Sequence, residues 1–231
     1  MKIAFTGMDL LEGKIKYDDP SLMALKLKDQ PEKFSPFFVE FVEDDFAKAD
    51  VIVIPEEKIL DLLIWDMQTL ETRLEKDLPE EERELLNECM QVLEDEIVLS
   101  DVEFDDAQRK LLQTTTLFSM KPVVKVKGSE DQNSIIKMAL EKAQYMFFYT
   151  SGPRESHAWL VRKNATALEC AERIHSDLAR GFIKADVVHH SDYLNCHSFN
   201  ECRSKGLVQL VDREYRIDEG DILEIRHNVT R

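Results

Sequence analysis

The pattern of apolar and polar residues is clearest between Thr166 and Val188, where the period changes from helical to extended. Thr166 and Glu169 have the spacing of a capping box, which predicts that a helix begins there. The apolar face of this helix recurs every three or four residues: Ala167, Ala171, Ile174 and Leu178. Gly181 stands where a left-handed C-terminal cap is expected. A strand with one buried face should follow, because the next apolar residues alternate with their neighbours: Ile183, Ala185 and Val187.

Strand patterns surround this helix on both sides. We predict strands at 146–150, 156–162, 207–211, 214–217 and 222–229, and a polar connection with one short helix at 189–206. One helix laid on a sheet of such strands is the arrangement of a β-grasp fold. The second half of the chain is therefore expected to be an α+β module.

The first half has the pattern of an α/β layer. Short apolar runs predict strands at 2–6, 37–43, 50–54 and 121–127, and a helix is predicted at 132–145. Two longer helices should interrupt this layer, since apolar residues form two seams at helical spacing. The seams are Ile59, Leu63, Met67, Leu70 and Leu74, and then Leu86, Cys89, Leu93 and Ile97. With a further short helix near 105–116, they predict an antiparallel helical hairpin inserted at about 56–118.

The charge is distributed unevenly along the chain. The net charge is −16, and residues 1–118 carry −17 whereas residues 119–231 carry +1 and all six histidines. We therefore expect two units with different partners, and only the second could approach a phosphate backbone. The acidic hairpin either docks a basic protein surface or has an ordinary solvated outer face, and the second alternative is the more common one.

Cysteine use and hydropathy point to the cytoplasm. The four cysteines form no disulfide framework and no CxxC pair, which is typical of reduced thiols in a cytosolic protein. The apolar run at the N-terminus is too short for a signal peptide, and no run approaches transmembrane length. We expect no membrane association, and the oligomeric state is not indicated.

The stretch from Gly7 to Lys14 has part of the pattern of a phosphate-binding loop. Five residues instead of four separate Gly7 from Gly13, and Lys14 is followed by Ile15, which has no hydroxyl for magnesium. No long helix is expected after Lys14, so no helix N-terminus would face an anion. There is also no glycine between Gly13 and Gly128. The switch loops of nucleotide hydrolases need the flexible backbone that glycine provides close to the phosphates. We therefore expect no nucleotide hydrolysis.

Five segments of the second half resemble the C-terminal TGS domain of the YchF-type (Obg-like) P-loop ATPases. They are Phe147-Phe-Tyr-Thr, Ala158-Trp-Leu-Val-Arg-Lys, Ala171-Glu-Arg-Ile-His-Ser-Asp-Leu, Gly181-Phe-Ile-Lys-Ala-Asp-Val and Asp218-Glu-Gly-Asp-Ile-Leu-Glu-Ile-Arg-His-Asn-Val. Weaker similarity extends to Asp66-Met-Gln-Thr-Leu-Glu-Thr-Arg-Leu, at the start of that family's helical arm, and to 112–124, at the return into its G domain. The resemblance implies a β-grasp TGS domain at 145–231.

The same resemblance implies a degenerate G domain at 1–144, an α/β remnant of a P-loop fold with the inserted hairpin. The family's phosphate loop is replaced by the Gly7–Lys14 stretch, and no Asp-x-x-Gly segment follows Val42. The base-recognition asparagine is missing after the strand at 121–127, where Glu130 is the only counterpart of the motif's acid. The segment before the arm is also too short for a complete G domain. We therefore expect a truncated relative that has lost the ATPase site.

The first hypothesis is a non-catalytic binding protein. The resemblance implies a partner in translation or stress, either the ribosome and its RNA or a protein, bound through the TGS domain. Four cations flank the ends of the capped helix and are predicted to bind that partner: Arg162, Lys163, Arg180 and Lys184. The alternative for these cations is scattered solubilising charge, because this half is neutral overall.

The sequence also contains parts of two other classes of site. Gly7, Gly13 and Lys14 support a residual purine-nucleotide binder that would take ATP or GTP with Mg²⁺, with weak or no hydrolysis. A metal site would have to come from five residues whose spacing fits no standard zinc pattern: His189, His190, Cys196, His197 and Cys202. We therefore expect no catalytic residue, no bound metal and no required cofactor.

Overall fold

The computed structural model describes residues 1–228 and divides the chain into two compact units. Unit 1 consists of Met1–Ile15 and Val39–Ala143, and unit 2 of Lys16–Phe38 and the residues from Gln144 onward. The strands are β1 (Lys2–Phe5), β2 (Gly13–Lys16), β3 (Lys33–Ser35), β4 (Phe38–Glu43), β5 (Val51–Pro55), β6 (Val123–Val126), β7 (Tyr145–Thr150), β8 (Glu155–Arg162), β9 (Phe182–His189), β10 (Gln209–Val211) and β11 (Asp221–His227).

The α-helices of residues 1–228 all lie between these strands. They are α1 (Pro20–Asp29), α2 (Ile59–Leu74), α3 (Glu80–Glu94), α4 (Asp106–Leu112), α5 (Gln132–Lys142), α6 (Ala167–Ile174), α7 (Ser176–Arg180), α8 (His190–Leu194) and α9 (Phe199–Ser204). Within residues 1–228, every helix is too short or too polar to cross a lipid bilayer.

A five-stranded sheet forms the centre of unit 1. Its order is β2-β4-β1-β5-β6, and the neighbours β4, β1, β5 and β6 run parallel. In β1 and β5 the apolar residues from Ile3 to Phe5 and from Val51 to Ile54 are all buried. Parallel strands covered on both faces consist of continuous apolar runs, which is why these strands could be predicted from the sequence.

The chain after β1 does not enter a helix. Residues 6–12 connect β1 to β2, an edge strand of the same sheet that was not predicted. The next helix, α1, begins only at Pro20, where Asp19 caps it and accepts hydrogen bonds from the amides of Ser21 and Leu22. The expectation that no long helix follows Lys14 overlooked this ten-residue helix, which belongs to unit 2.

Helices α2 and α3 pack against each other in unit 1 and are joined by residues 75–79. Their contact is closed by Arg73, whose Nε and Nη2 donate to the Glu82 carboxylate at 2.8 and 2.6 Å. The predicted seam residues from Ile59 to Leu93 are buried or half-buried in the core that these helices share with the sheet. Ile97 does not continue the second seam, because α3 ends at Glu94 and the Ile97 side chain is exposed.

A buried carboxylate ties α2 to the segment that returns to the sheet. Asp66 accepts hydrogen bonds from the backbone amides of Phe118 and Ser119, each at 2.7 Å. Burial raises the pKa of Asp66 above its ordinary value of 3.8, although both amides and the Ser119 side chain favour the charged form. This contact could not be predicted from local sequence patterns, because its partners are separated by more than 50 residues.

The sheet of unit 2 has the order β10-β9-β11-β7-β8-β3. Strands β7 and β8 are antiparallel, β11 runs parallel to β7, and β9 and β10 follow in antiparallel pairs. The apolar face of α6 packs on this sheet through Ala167, Cys170 and Ala171, all of them fully buried. The capping box of Thr166 and Glu169 is present as predicted.

Residues 16–38 were predicted as part of the N-terminal layer, but they lie in unit 2. Strand β3 pairs with β8, and Leu22 and Leu25 of α1 are buried. Asp19 is also buried, and its Oδ2 accepts a hydrogen bond from the hydroxyl of Tyr149 at 2.7 Å. In the structure the chain therefore changes unit at three places, after residues 15, 38 and 143, whereas a single boundary at residue 144 was predicted.

The helix predicted from Thr166 to Arg180 is interrupted at His175, which adopts an extended conformation and divides it into α6 and α7. Gly181 is not a left-handed cap, since its φ is −93°. Glycine is required there for another reason: a Cβ would overlap the carbonyl oxygen of Asn228, whose amide donates to the Gly181 carbonyl at 2.9 Å. Ile183 is exposed and residues 185–188 are all buried, so β9 does not show the predicted alternation of buried and exposed positions.

Three further expectations for unit 2 were wrong or incomplete. Residues 214–217 form no strand, and only an isolated bridge joins Arg216 to Thr166. The segment 189–206 contains two short helices, α8 and α9, instead of one. The last strand spans Asp221–His227, and Val229 of the predicted range lies outside the described residues.

We predict that Asp66→Ala lowers the free energy of unfolding by about 3 kcal/mol, because two amides lose a charged acceptor. Urea denaturation measures this change. The matched control is Asp61→Ala, which removes an exposed carboxylate from the same helix and should change the free energy by less than about 0.5 kcal/mol. Equal effects of the two variants would contradict the structural role of Asp66.

We also predict that the free energy of unfolding depends on pH through Asp19, and that Asp19→Asn removes this contribution. Burial raises the pKa of Asp19 above 3.8, and the hydrogen bonds from Tyr149, Leu22 and Ser21 do not fully offset it. A raised carboxyl pKa means that the folded state holds its proton to higher pH than the unfolded state. The free energy of unfolding of the native chain relative to Asp19→Asn should therefore be largest near pH 4 and fall as the pH rises. Urea denaturation from pH 4 to 7 tests this, and a difference that grows with pH would contradict it.

Candidate functional site

A cleft of about 460 Å³ lies in unit 1, where the parallel strands β1, β4 and β5 end. Its walls come from β5, from the residues after the three strands and from the first half of α2: Thr6, Asp44, Phe46, Ile54, Lys58, Asp61, Leu62, Ile64 and Trp65. Ligands of open α/β sheets bind outside the carboxyl ends of the strands, so this cleft is the candidate ligand site of unit 1.

Gly7 follows β1 at the edge of this cleft and is covered by a lysine. Its φ is +65°, which favours glycine, and a Cβ at this position would lie 2.5 Å from Nζ of Lys58. The Lys58 side chain thus lies against the backbone that a phosphate-binding loop would have to present to a nucleotide. Lys58 precedes α2 and was not among the residues predicted for this site.

Gly13 and Lys14 lie in the edge strand β2 rather than in a loop that leads into a helix. The structure therefore does not gather Gly7, Gly13 and Lys14 into a single anion-binding turn. Glu130, which matches the acid of the base-recognition motif, is also hydrogen-bonded within the protein. Both of its carboxylate oxygens accept a hydrogen bond from the Lys127 amide at 3.1 Å. This amide holds the pKa of Glu130 below its usual range.

The four cations predicted to bind a partner lie in unit 2, but the sheet separates them into two pairs. Arg162 pairs with the first residue of β7, whereas Lys184 pairs with Arg226 of β11. Because β11 and β7 are parallel, the register places Arg226 about eight residues beyond the first residue of β7, or roughly 26 Å at ~3.3 Å per residue. Arg162 and Lys163 are therefore at one end of the sheet, and Arg180 and Lys184 are at the other.

Three of these four cations contact an aromatic or acidic side chain within unit 2. The guanidinium of Arg162 lies over the ring of Tyr145, 4.7 Å from its centroid. Arg180 pairs with Asp177 on the same short helix, and Nζ of Lys184 is 2.9 Å from Asp212. The side chains of Arg162, Lys163 and Arg180 are exposed, so a phosphate could replace such surface pairs at small cost.

Arg203 belongs to a network of ion pairs around the buried carboxylate of Asp186. Its Nη2 is 3.0 Å from the Asp186 carboxylate, which also takes a bidentate pair of hydrogen bonds from Arg226 at 2.8 and 2.9 Å. Burial opposes the charge on Asp186, but the two guanidinium groups outweigh it and hold its pKa below the usual range. Stability from this network should be present above the ordinary pKa of 3.8 and be lost as the pH falls through the lower folded value.

The histidines and cysteines of residues 189–202 do not converge. Cys196 and Cys202 are buried, while the rings of His189 and His190 contact each other with centroids 4.7 Å apart. In the part of the chain that the structure describes, no three residues among the histidines, cysteines, aspartates and glutamates are grouped as metal ligands.

The apolar rim of the cleft is a feature that the sequence analysis missed. Leu60, Ile64 and Trp65 stand outside the seam that was used to predict α2, and all three are exposed. Apolar residues on both the inner and the outer face of a helix are the signal that could have revealed this surface.

Comparison with known proteins identifies relatives for most of the chain. Residues 145–228 match the family model YchF-GTPase_C, described as a protein of unknown function (DUF933). The "Ribosome-binding ATPase YchF" of Bacillus subtilis is 26% identical over 250 aligned positions, which cover 79% of this chain and 68% of the relative. The "Obg-like ATPase 1" of Danio rerio is 36% identical over 94 residues, which cover 41% of this chain and 24% of that protein.

The fold is similar to a solved structure over nearly the whole chain. "Structure of the Schizosaccharomyces pombe YchF GTPase" superimposes with a TM-score of 0.77 at 15% identity, covering 98% of this chain and 97% of that one. The mixed α/β architecture with two sheets is therefore that of a known fold.

We predict that calorimetric titration with Mg-ATP or Mg-GTP shows no binding tighter than about 1 mM, that is, less than about 4 kcal/mol of binding free energy. The reason is geometric, since Lys58 covers Gly7 and Lys14 lies in a strand. Lys14→Ala should leave the titration unchanged. A micromolar dissociation constant that Lys14→Ala abolishes would contradict our interpretation of the loop.

Proposed function

Because the chain is a relative of the YchF family, we propose that it is a ribosome-associated binding protein without nucleotide hydrolysis. The observation that carries the proposal is the similarity to proteins named "Ribosome-binding ATPase YchF", which extends over 79% of the chain. Two further matches with that name come from Buchnera aphidicola and Mycoplasma genitalium, at 24% and 33% identity over 245 and 105 residues. A ribosomal partner agrees with the predicted cytoplasmic location.

The absence of hydrolysis is inferred from unit 1. A phosphate-binding loop works by presenting successive backbone amides and a helix N-terminus to the anion, and here β1 leads into the edge strand β2. The alignment with the Bacillus protein is also longer than this chain of 231 residues, so the relative has residues without a counterpart here. Both observations support a truncated, degenerate G domain, with ATP or GTP binding as the alternative that the titration tests.

We further propose that unit 2 is a β-grasp module of the TGS type. An antiparallel hairpin (β7 and β8), a helix on the sheet (α6) and a central parallel pair (β7 and β11) support this classification. The partner surface would be the exposed cations of this unit, because unit 1 carries 14 lysines and arginines against 29 acidic residues. A phosphate backbone is repelled by such an excess of acids.

The test is co-sedimentation of the purified protein with ribosomes in low and moderate salt. We expect binding in low salt that weakens steeply as salt is added, as phosphate contacts require. Replacing Arg162 and Lys163 with glutamate, or Arg180 and Lys184 with glutamate, should each reduce the bound fraction at least about fivefold at equal salt. The two double variants examine the two ends of the sheet separately.

The matched control replaces Lys76 and Lys137, two exposed cations of unit 1, with glutamate and changes the net charge by the same amount. This variant should bind ribosomes like the unchanged protein. The proposal is wrong if the native chain does not sediment with ribosomes in low salt. It is also wrong in its choice of surface if the control variant weakens binding as much as the variants of unit 2.

A further inference from the structure

The outward face of α2 carries three large apolar side chains next to one another. Leu60, Ile64 and Trp65 are 44%, 45% and 51% exposed. Leu60 and Ile64 are neighbours because they lie four residues apart on the helix. Ile64 and Trp65 both line the cleft of unit 1, so the three side chains together border this cleft. Single exposed apolar residues are common on protein surfaces, but a contiguous patch beside a cleft marks an interaction site.

The patch continues into the cleft of unit 1. Ile64 and Trp65 line the cleft, and its apolar floor is made by the buried side chains of Phe46, Ile54 and Leu62. The volume of about 460 Å³ lies within the range of about 300–1,000 Å³ that is typical of ligand pockets. A bulky side chain of a partner could therefore be buried here, as in the central anchors of protein interfaces.

The surface is rigidly supported from below. The rings of Phe46, Trp65 and Phe118 contact one another, with centroids 5.7 to 6.2 Å apart. The neighbouring Asp66 fixes the Phe118 amide to α2. A patch whose side chains are already held in place loses little conformational freedom on binding, which favours affinity.

The charges around the cleft indicate the chemistry of the partner. The two segments that border it, residues 43–48 and 56–61, contain six acids and two lysines. Asp61 precedes Trp65 by one helical turn, and Asp44 is part of the cleft wall. One of the two lysines, Lys48, already pairs with Asp45 at 3.1 Å. An apolar cleft with an acidic border is complementary to a basic segment that carries a large apolar side chain.

We propose that this cleft and the outward face of α2 bind a basic, amphipathic polypeptide segment, with one bulky apolar side chain inserted beside Trp65. A second copy of this chain fits poorly, because it would bring the same acids to the same border. The site is separate from the cations of unit 2 and does not depend on the proposed ribosome binding.

The test uses two synthetic 18-residue helical peptides that share one leucine pattern and contain no aromatic residue. One peptide has lysine at all polar positions, and the other has glutamate. The protein contains two tryptophans, so Trp159→Phe, in unit 2, leaves Trp65 as the only reporter of fluorescence. We expect a saturable blue shift with the lysine peptide and none with the glutamate peptide.

The matched variants are Ile64→Gln and Ile97→Gln in the Trp159→Phe background. The two isoleucines are 45% and 44% exposed and both belong to unit 1, but only Ile64 lines the cleft. Ile64→Gln should raise the dissociation constant at least about tenfold, whereas Ile97→Gln should change it less than about twofold. Both variants should unfold at nearly the same temperature as their parent, because the replaced side chains are exposed.

Three results would overturn the proposal. The first is no saturable binding of the lysine peptide up to about 1 mM, and the second is an equal effect of the two glutamine variants. The third is a dimer in sedimentation velocity that Ile64→Gln dissociates, since the patch would then be a contact between copies of this chain.

Discussion

The carboxylate of Asp66 is the contact on which the geometry of unit 1 depends. It lies in the middle of α2 and takes two backbone amides from the segment that leads back to the sheet, so it joins parts of the chain that are far apart in sequence. A buried carboxylate is costly unless its lone pairs are satisfied, and here the satisfied state exists only when α2 and residues 118–119 are in register. The position of Trp65, and with it the wall of the cleft, follows from this register.

The edge of the parallel sheet shows how one architecture supports different uses. The carboxyl ends of β1, β4 and β5 form the place where this class of sheet holds ligands. Nucleotide binding there would need a backbone turn and a helix start after β1, but the chain continues into β2 and the Lys58 side chain lies over Gly7. The cleft that remains has an apolar floor, which suits an apolar side chain better than a triphosphate.

Elements with one strong period could be predicted from the sequence, and those held by distant contacts could not. Patterns within a few residues were enough to predict the buried runs of β1 and β5, the seams of α2 and α3, and the capped start of α6. The three-residue strand β3 exists only because β8 pairs with it, and the break at His175 belongs to no periodic pattern. For the site, the spacing of Gly7, Gly13 and Lys14 was visible, but spacing does not reveal which element follows a strand. Lys58 came close to Gly7 through the fold alone.

The two units alternate along the chain, and this alternation affects the order in which they can fold during synthesis. Each unit is assembled from two separate stretches, since residues 16–38 belong with the residues after 143 rather than with their neighbours. During synthesis, unit 1 has all its residues as soon as position 143 has left the ribosome, whereas α1 must wait for strands that do not yet exist. Its leucines at 22 and 25, which end up fully covered, remain open to water or to chaperones during that interval. A nascent chain that stalls near residue 143 would therefore contain a complete unit 1 and an α1 helix whose apolar face is exposed.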